Sequence, residues 1–124
     1  MNLVDSCGWL EFFAGTNRAR LFEAAIRHPD RLLVPTICIM EVSKILARSY
    51  PMDGVVTAVS AMRQGTVVAL DDALAIEAGL LSTTLKMPSV DSIVLATAQR
   101  HGATVWTQDA DFAGKPGVKY FPKP

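Results

Sequence analysis

Ala103-Thr104-Val105-Trp106-Thr107-Gln108-Asp109-Ala110-Asp111-Phe112 is the stretch from which the fold can be read. Its first half is β-branched and apolar, and its second half is a polar corner that holds two aspartates. The first half reads as a strand over Ala103–Thr107, which leaves Asp109 and Asp111 just beyond its carboxyl end. The start of the chain repeats the device. Met1 to Val4 is a short run, largely apolar, that stops at Asp5 and reads as a buried strand.

Three further strands are expected over Arg31–Val34, Thr66–Leu70 and Val118–Phe121. Helical patterns lie between them. Ser6 through Gly15 carries Trp9, Leu10, Phe12 and Phe13, and Gly15 closes it. Asn17 is expected to cap a helix with Leu21, Phe22, Ala25 and Ile26 on one face, fading at His28-Pro29. A helix starting at Pro35-Thr36 is expected to run to about Tyr50, and a second from Pro51-Met52-Asp53 to Gly65. Two more span Asp71 to about Leu85 and Ser89 to Arg100. Strands that alternate with helices and read as apolar runs form parallel sheets covered on both faces. The expected fold is therefore a three-layer α/β/α sandwich around a mainly parallel, roughly five-stranded sheet. Residues 1–124 contain no linker, repeat or low-complexity tract and read as a single domain.

Composition excludes several classes. Half of the residues are apolar and 19% are charged, which argues against disorder. The longest uncharged stretches, 32–40 and 54–62, are nine residues each, far short of the roughly 20 a membrane span needs. The first residues lack the basic and apolar regions of a signal peptide. Two cysteines make no disulfide scaffold. A cytoplasmic protein is expected. Twelve basic against 12 acidic side chains give no net charge and no general electrostatic reason to bind nucleic acid.

In such sheets ligands sit beyond the carboxyl ends of the strands, where strand order reverses. Asp5, Asp109 and Asp111 lie at that edge. Glu41 falls in the second turn of a helix that follows a strand, and Asp91 in the first turn of another. Four or five carboxylates from distant parts of the chain can thus meet. Without a cation such a cluster is unfavourable, because like charges resist joint ionisation. Mg²⁺ or Mn²⁺, which prefer oxygen ligands, reverse that balance and suit phosphodiester displacement. Each acid also has a plainer reading. Asp5 could cap a helix, Asp91 could offset a helix dipole, Glu41 could be an exposed helical acid, and Asp109 and Asp111 could be turn residues.

Four blocks, in order, resemble the PIN-domain family and its VapC-like toxins of toxin–antitoxin pairs. They are Leu3-Val4-Asp5-Ser6, Thr36-Ile37-Cys38-Ile39-Met40-Glu41-Val42, Val90-Asp91-Ser92-Ile93-Val94-Leu95-Ala96, and Val105-Trp106-Thr107-Gln108-Asp109-Ala110-Asp111-Phe112. The resemblance implies that Asp5, Glu41, Asp91 and Asp109 form a catalytic acidic quartet that binds Mg²⁺ or Mn²⁺. It places Asp5 and Asp91 first as direct ligands, Asp109 next, and Glu41 through a water or on a second ion. Asp111 matches a more peripheral acid, and Ser6 and Thr107 match supporting hydroxyls. The same resemblance implies metal-dependent cleavage of RNA, a small antitoxin partner, and a homodimer. Cys7 departs mildly from the small hydroxyl residue common after Asp-Ser.

Other features carry less. Asp71-Asp72 reads as a helix cap, His28 and His101 as helix C-terminal residues, and Cys7 and Cys38 as small core residues. Trp9, Phe12 and Phe13 read first as core and second as an RNA-stacking patch. The apolar helices over 36–50 and 51–64 offer a dimer or antitoxin contact. Two other functions remain open from residues alone. One is a PIN-like module that binds RNA or protein without cutting. The other is a receiver-type phosphoacceptor domain, for which Asp71 is the best acceptor though it comes late in the chain. If five of the 12 acids share one pocket, the remainder carries 12 bases against seven acids. Arg18, Arg20, Lys44, Arg48 and Lys86 are then candidate phosphate contacts.

Overall fold

The computed structural model describes residues 1–124. Its five strands are β1 (Asn2–Val4), β2 (Leu32–Pro35), β3 (Thr66–Val68), β4 (Thr104–Thr107) and β5 (Val118–Tyr120). They form one sheet in the order β3-β2-β1-β4-β5, and every pairing is parallel. Leu3 stands beside Leu33 on one side and Val105 on the other. Six helices complete the expected α/β/α layering: α1 (Ser6–Ala14), α2 (Ala19–Ile26), α3 (Thr36–Leu46), α4 (Met52–Met62), α5 (Asp72–Leu85) and α6 (Ser89–Arg100). None is long and apolar enough to cross a membrane.

The apolar run of β1 reflects its central place. Leu3, Val4, Leu33, Val34 and Val105 are buried, and they share a core with Trp9, Phe22, Val42, Met62, Leu95 and Phe112. β3 is at the sheet edge, and there Thr66 and Val67 are exposed. The chain builds outward from β1 to β2 and β3, then returns to lay β4 on the other side of β1. The strand order therefore reverses between β1 and β4, and that is where a crevice opens at the carboxyl ends. Close packing beneath it requires glycine at position 8. A Cβ there would lie 2.5 Å from Phe22 Cδ1 and 2.7 Å from Val4 Cγ1.

Four of the boundaries that differ from expectation do so for a clear local reason. The α2 cap expected from Asn17 is absent. Thr16 Oγ1 instead accepts the Arg18 N–H at 3.2 Å, and the helix begins at Ala19. β2 starts at Leu32 because Pro29–Arg31 forms a 3-10 turn. α3 stops at Leu46 rather than near Tyr50. The N–H groups of Ser49 and Tyr50 both turn back onto the Leu46 carbonyl, and Pro51 disfavours helix at the residue before it. β3 ends at Val68, and the N–H of Leu70 goes to Thr36 Oγ1 at 3.3 Å.

Candidate active site

Asp5 and Asp109 follow neighbouring strands, so the two carboxylates face each other across the switch point. Asp91, in the first turn of α6, completes the group. Ligand oxygens of Asp5, Asp91 and Asp109 all lie within 4.8 Å of one another. A second group shares Asp5 and adds Cys38 Sγ and a Glu41 oxygen, again within 4.8 Å. Cys38 and Glu41 are three residues apart on α3 and so project from one helix face. The four acids expected to converge are therefore together.

Hydrogen bonds fix two of them. Asp5 is buried, with Oδ1 accepting from the Ser6 N–H at 2.9 Å and Oδ2 from the Thr107 hydroxyl at 2.8 Å. Asp5 thus caps α1 and faces the cluster at once, so the plain reading and the functional one both hold. The Thr107 hydroxyl also accepts from the Asp109 N–H at 3.0 Å. Asp109 Oδ1 accepts from the Asp111 N–H at 2.9 Å. The Asp111 side chain is exposed at the rim, the peripheral position expected of it. Ser6 lies beside Glu41, where its side chain favours the ionised carboxylate.

The electrostatics are those of crowded like charge. Burial raises the pKa of Asp5 above its ordinary value, and Asp109 adds to this, while Thr107 and the Ser6 amide oppose it. Burial pushes Asp91 up to about 7, with Asp109 and Asp5 adding repulsion. Glu41 is raised chiefly by burial, then by Asp5 and Asp109. Its Oε1 is buried with no hydrogen-bond partner. An unpartnered carboxylate oxygen beside three converging carboxylates suits a hard divalent cation such as Mg²⁺ or Mn²⁺.

Cys7 requires correction, and Cys38 an addition. Cys7 is only half-buried and belongs to the site, with Sγ 3.6 Å from Asp5 Oδ2 and 3.4 Å from Thr107 Oγ1. Burial and the neighbouring Asp5 push its thiol up to about 12, which disfavours the thiolate. Cys38 is fully buried in the core as expected, yet its sulfur also faces Asp5 and Glu41. Nothing in local sequence separates a cysteine that fills space from one that touches a carboxylate.

Arg18, one of the candidate phosphate contacts, is engaged within the chain. Its Nε donates to Gln108 Oε1, and its Nη2 donates to the Phe121 carbonyl at 2.9 Å. Gln108 in turn donates from Nε2 to Glu11 Oε2 at 3.1 Å. Arg20, Lys44, Arg48 and Lys86 are exposed. Trp9 is buried and stacked on Phe13 at 5.7 Å, so it is core rather than an RNA platform. Asp71 caps α5 through the Leu74 N–H at 2.8 Å and pairs with Arg100, and it is not among the clustered acids. His101 sits at the end of α6, its Nδ1 3.0 Å from the Thr97 carbonyl oxygen.

A model of the PIN domain family matches residues 3–117. No curated protein sequence matches the chain. Solved structures do. A toxin–antitoxin complex from Klebsiella pneumoniae is 25% identical and superposes with a TM-score of 0.84, covering 99% of this chain and 100% of that one. VapC20 of Mycobacterium tuberculosis, a sarcin–ricin loop cleaving toxin, is 21% identical with a TM-score of 0.79, covering 98% and 100%. DNA-bound VapBC from Salmonella typhimurium is 18% identical with a TM-score of 0.74, covering 98% of each chain.

Proposed function

The chain belongs to the PIN-domain family, and from that premise we propose that it is a Mg²⁺- or Mn²⁺-dependent endoribonuclease, the toxin of a VapBC-type toxin–antitoxin pair. The observation that carries this is the meeting of Asp5, Asp91 and Asp109 oxygens within 4.8 Å at the switch point of the sheet.

Asp5, Asp91 and Asp109 would hold the cation, with Glu41 alongside them directly or through a water. A divalent cation bound there would activate a water and offset the charge that develops on the phosphate during cleavage. The chain's own residues provide the frame. Thr107 locks Asp5 through its hydroxyl and holds the Asp109 backbone through the same oxygen. The Ser6 and Asp111 amides orient the other carboxylate oxygens. These fixed donors keep the acids from rotating away from one another when no cation balances them.

The partner part of the reading rests on the Klebsiella pneumoniae structure, a toxin–antitoxin complex covering nearly the whole chain. Between α1, α3 and α4 runs a groove of about 620 Å³ lined by Leu10, Phe13, Ile45, Leu46, Tyr50 and Ala58. An antitoxin segment with apolar side chains at helical spacing fits it. The reading also includes a homodimer and a cytoplasmic site of action.

The decisive experiment pairs Asp5→Asn with Asp91→Asn. Both proteins should fold, lose Mg²⁺- or Mn²⁺-dependent RNA cleavage and no longer arrest growth. Undiminished cleavage by both would overturn the proposal.

A further inference from the structure

Beyond the acids, the carboxyl edge of the sheet holds a second feature. A cleft of about 450 Å³ opens beside Asp109, lined by Cys7, Gln108, Asp109, Ala110, Tyr120 and Lys123. Its size falls in the range that accepts small ligands, about 300–1,000 Å³. Two of its walls come from the C-terminal segment, which is held in place from both sides.

Register decides which side chains face the cleft. Thr107 pairs with Tyr120, so the two side chains share a sheet face. Thr107 spends that face on Asp5, which puts Tyr120 on the side of the acids. Trp106 and Lys119 pair on the opposite face, where Lys119 Nζ sits 4.0 Å from the Trp106 ring centroid. Phe121 alternates to that same face and packs on Phe22 at 5.4 Å and Trp106 at 6.0 Å. Beyond β5 the Phe121 N–H donates to the Thr107 carbonyl at 2.9 Å, and Arg18 Nη2 donates to the Phe121 and Pro122 carbonyls at 2.9 and 3.4 Å. The segment is therefore anchored by aromatic packing behind it and by an arginine across its backbone. Tyr120 and Lys123 are what it presents to the cleft.

We propose that Tyr120 and Lys123 form a nucleotide subsite next to the cutting centre, Tyr120 stacking a base of single-stranded RNA and Lys123 contacting a phosphate. This rests on the ribonuclease reading. An aromatic side chain, one cation and an adjacent cluster of acids match a nucleotide that flanks the scissile bond. A stacking surface accepts any base, while the lysine supplies attraction that the acidic centre itself lacks. Arg18 acts as a positioning residue for this wall.

The test measures binding of a short mixed-sequence single-stranded RNA by fluorescence anisotropy, in the Asp91→Asn background so that the probe stays intact. Tyr120→Ala should weaken binding about tenfold with the salt dependence unchanged. Tyr120→Phe, which keeps the ring, should restore it. Lys123→Ala should weaken binding and reduce the slope of log affinity on log salt by about 1. Thermal melting of each variant checks that the fold is intact. Parental affinity in both Tyr120→Ala and Lys123→Ala overturns the subsite. Equal losses in Tyr120→Ala and Tyr120→Phe overturn the stacking role. Cleavage of the same RNA by the unsubstituted chain with Mg²⁺ or Mn²⁺ tests the underlying reading separately. If it neither binds nor cuts, that reading falls and takes the subsite with it.

Discussion

Thr107 donates to Asp5 across 2.8 Å from a position 102 residues later in the chain. The same oxygen accepts the Asp109 N–H at 3.0 Å, so one buried hydroxyl joins two of the clustered acids. Thr107→Val keeps the side-chain shape and removes both bonds. It should cost about 1.5–3 kcal/mol of stability, the scale of a hydrogen bond to a charged group, and lower RNA cleavage. Thr107→Ser should recover most of both. Urea unfolding and a cleavage assay read the outcome, and wild-type behaviour of the valine variant would remove Thr107 from the frame.

Asp91 carries a pH signature. Its folded pKa is raised to about 7 from 3.8, so the folded state holds the proton more tightly than the unfolded chain does. The stability linked to that proton is fully present below pH 3.8 and is lost as pH rises through about 7. In EDTA, Asp91→Asn should therefore be more stable than the unsubstituted chain above pH 7, with the difference vanishing toward pH 3.8. Unfolding both proteins across that range measures it. Equal stability at the alkaline end would contradict the crowding inferred for this carboxylate.

The same linkage predicts how a cation acts. Mg²⁺ or Mn²⁺ at these acids must displace the Asp91 proton, so binding should release protons and strengthen as pH rises through about 7. The rise in melting temperature on adding Mn²⁺ should be larger above that pH than below it. Asp91→Asn should flatten the dependence. A pH-independent shift would place the cation elsewhere.

Gly8 predicts a purely steric effect. A methyl group there meets Phe22 and Val4 inside the core. Gly8→Ala should destabilise the chain by about 1–3 kcal/mol. Combining it with Phe22→Leu, which removes the nearest clash, should recover part of the loss. Additive losses in the double variant would show that the contact is not the cause.

Arg18 predicts a separation of two effects. Arg18→Ala should raise hydrogen exchange and protease cleavage at residues 121–124 and weaken RNA binding. In the Lys123→Ala background it should leave the salt slope unchanged, because its guanidinium is committed to Gln108, Phe121 and Pro122. A slope reduced by about 1 would instead restore Arg18 as a phosphate contact.

What the sequence discloses follows from the range of the forces involved. The strands were legible because burial on both faces leaves an apolar run, as at Leu3-Val4 and Leu33-Val34. The acids were legible because a parallel sheet places its strand ends together, and Asp5 and Asp109 do follow adjacent strands. Helix ends were less so. Tyr50 sits in a pattern that suits a helix, and a tight turn before Pro51 overrides it. Roles set by distant partners left no local mark. Arg18 resembles any exposed arginine until the Phe121 carbonyl, more than 100 residues on, arrives to accept its hydrogen bond. Cys7 resembles a core residue until Thr107 stands beside it.

The central strand is the first of the five to be synthesised, yet it must wait for the fourth before it has both neighbours. β1 can pair with β2 once Leu33 has been made, but its other edge stays open until Thr104 to Trp106 appear. Asp5 meanwhile lacks the Thr107 hydroxyl, and its cluster lacks Asp91 and Asp109. A growing chain therefore has no complete acidic cluster over most of its synthesis. The cluster is completed late, when one long-range strand pairing closes, and such closures are slow because the intervening loop must first be ordered. The topology that gathers the acids also delays their meeting until β4 and the corner after it have been made.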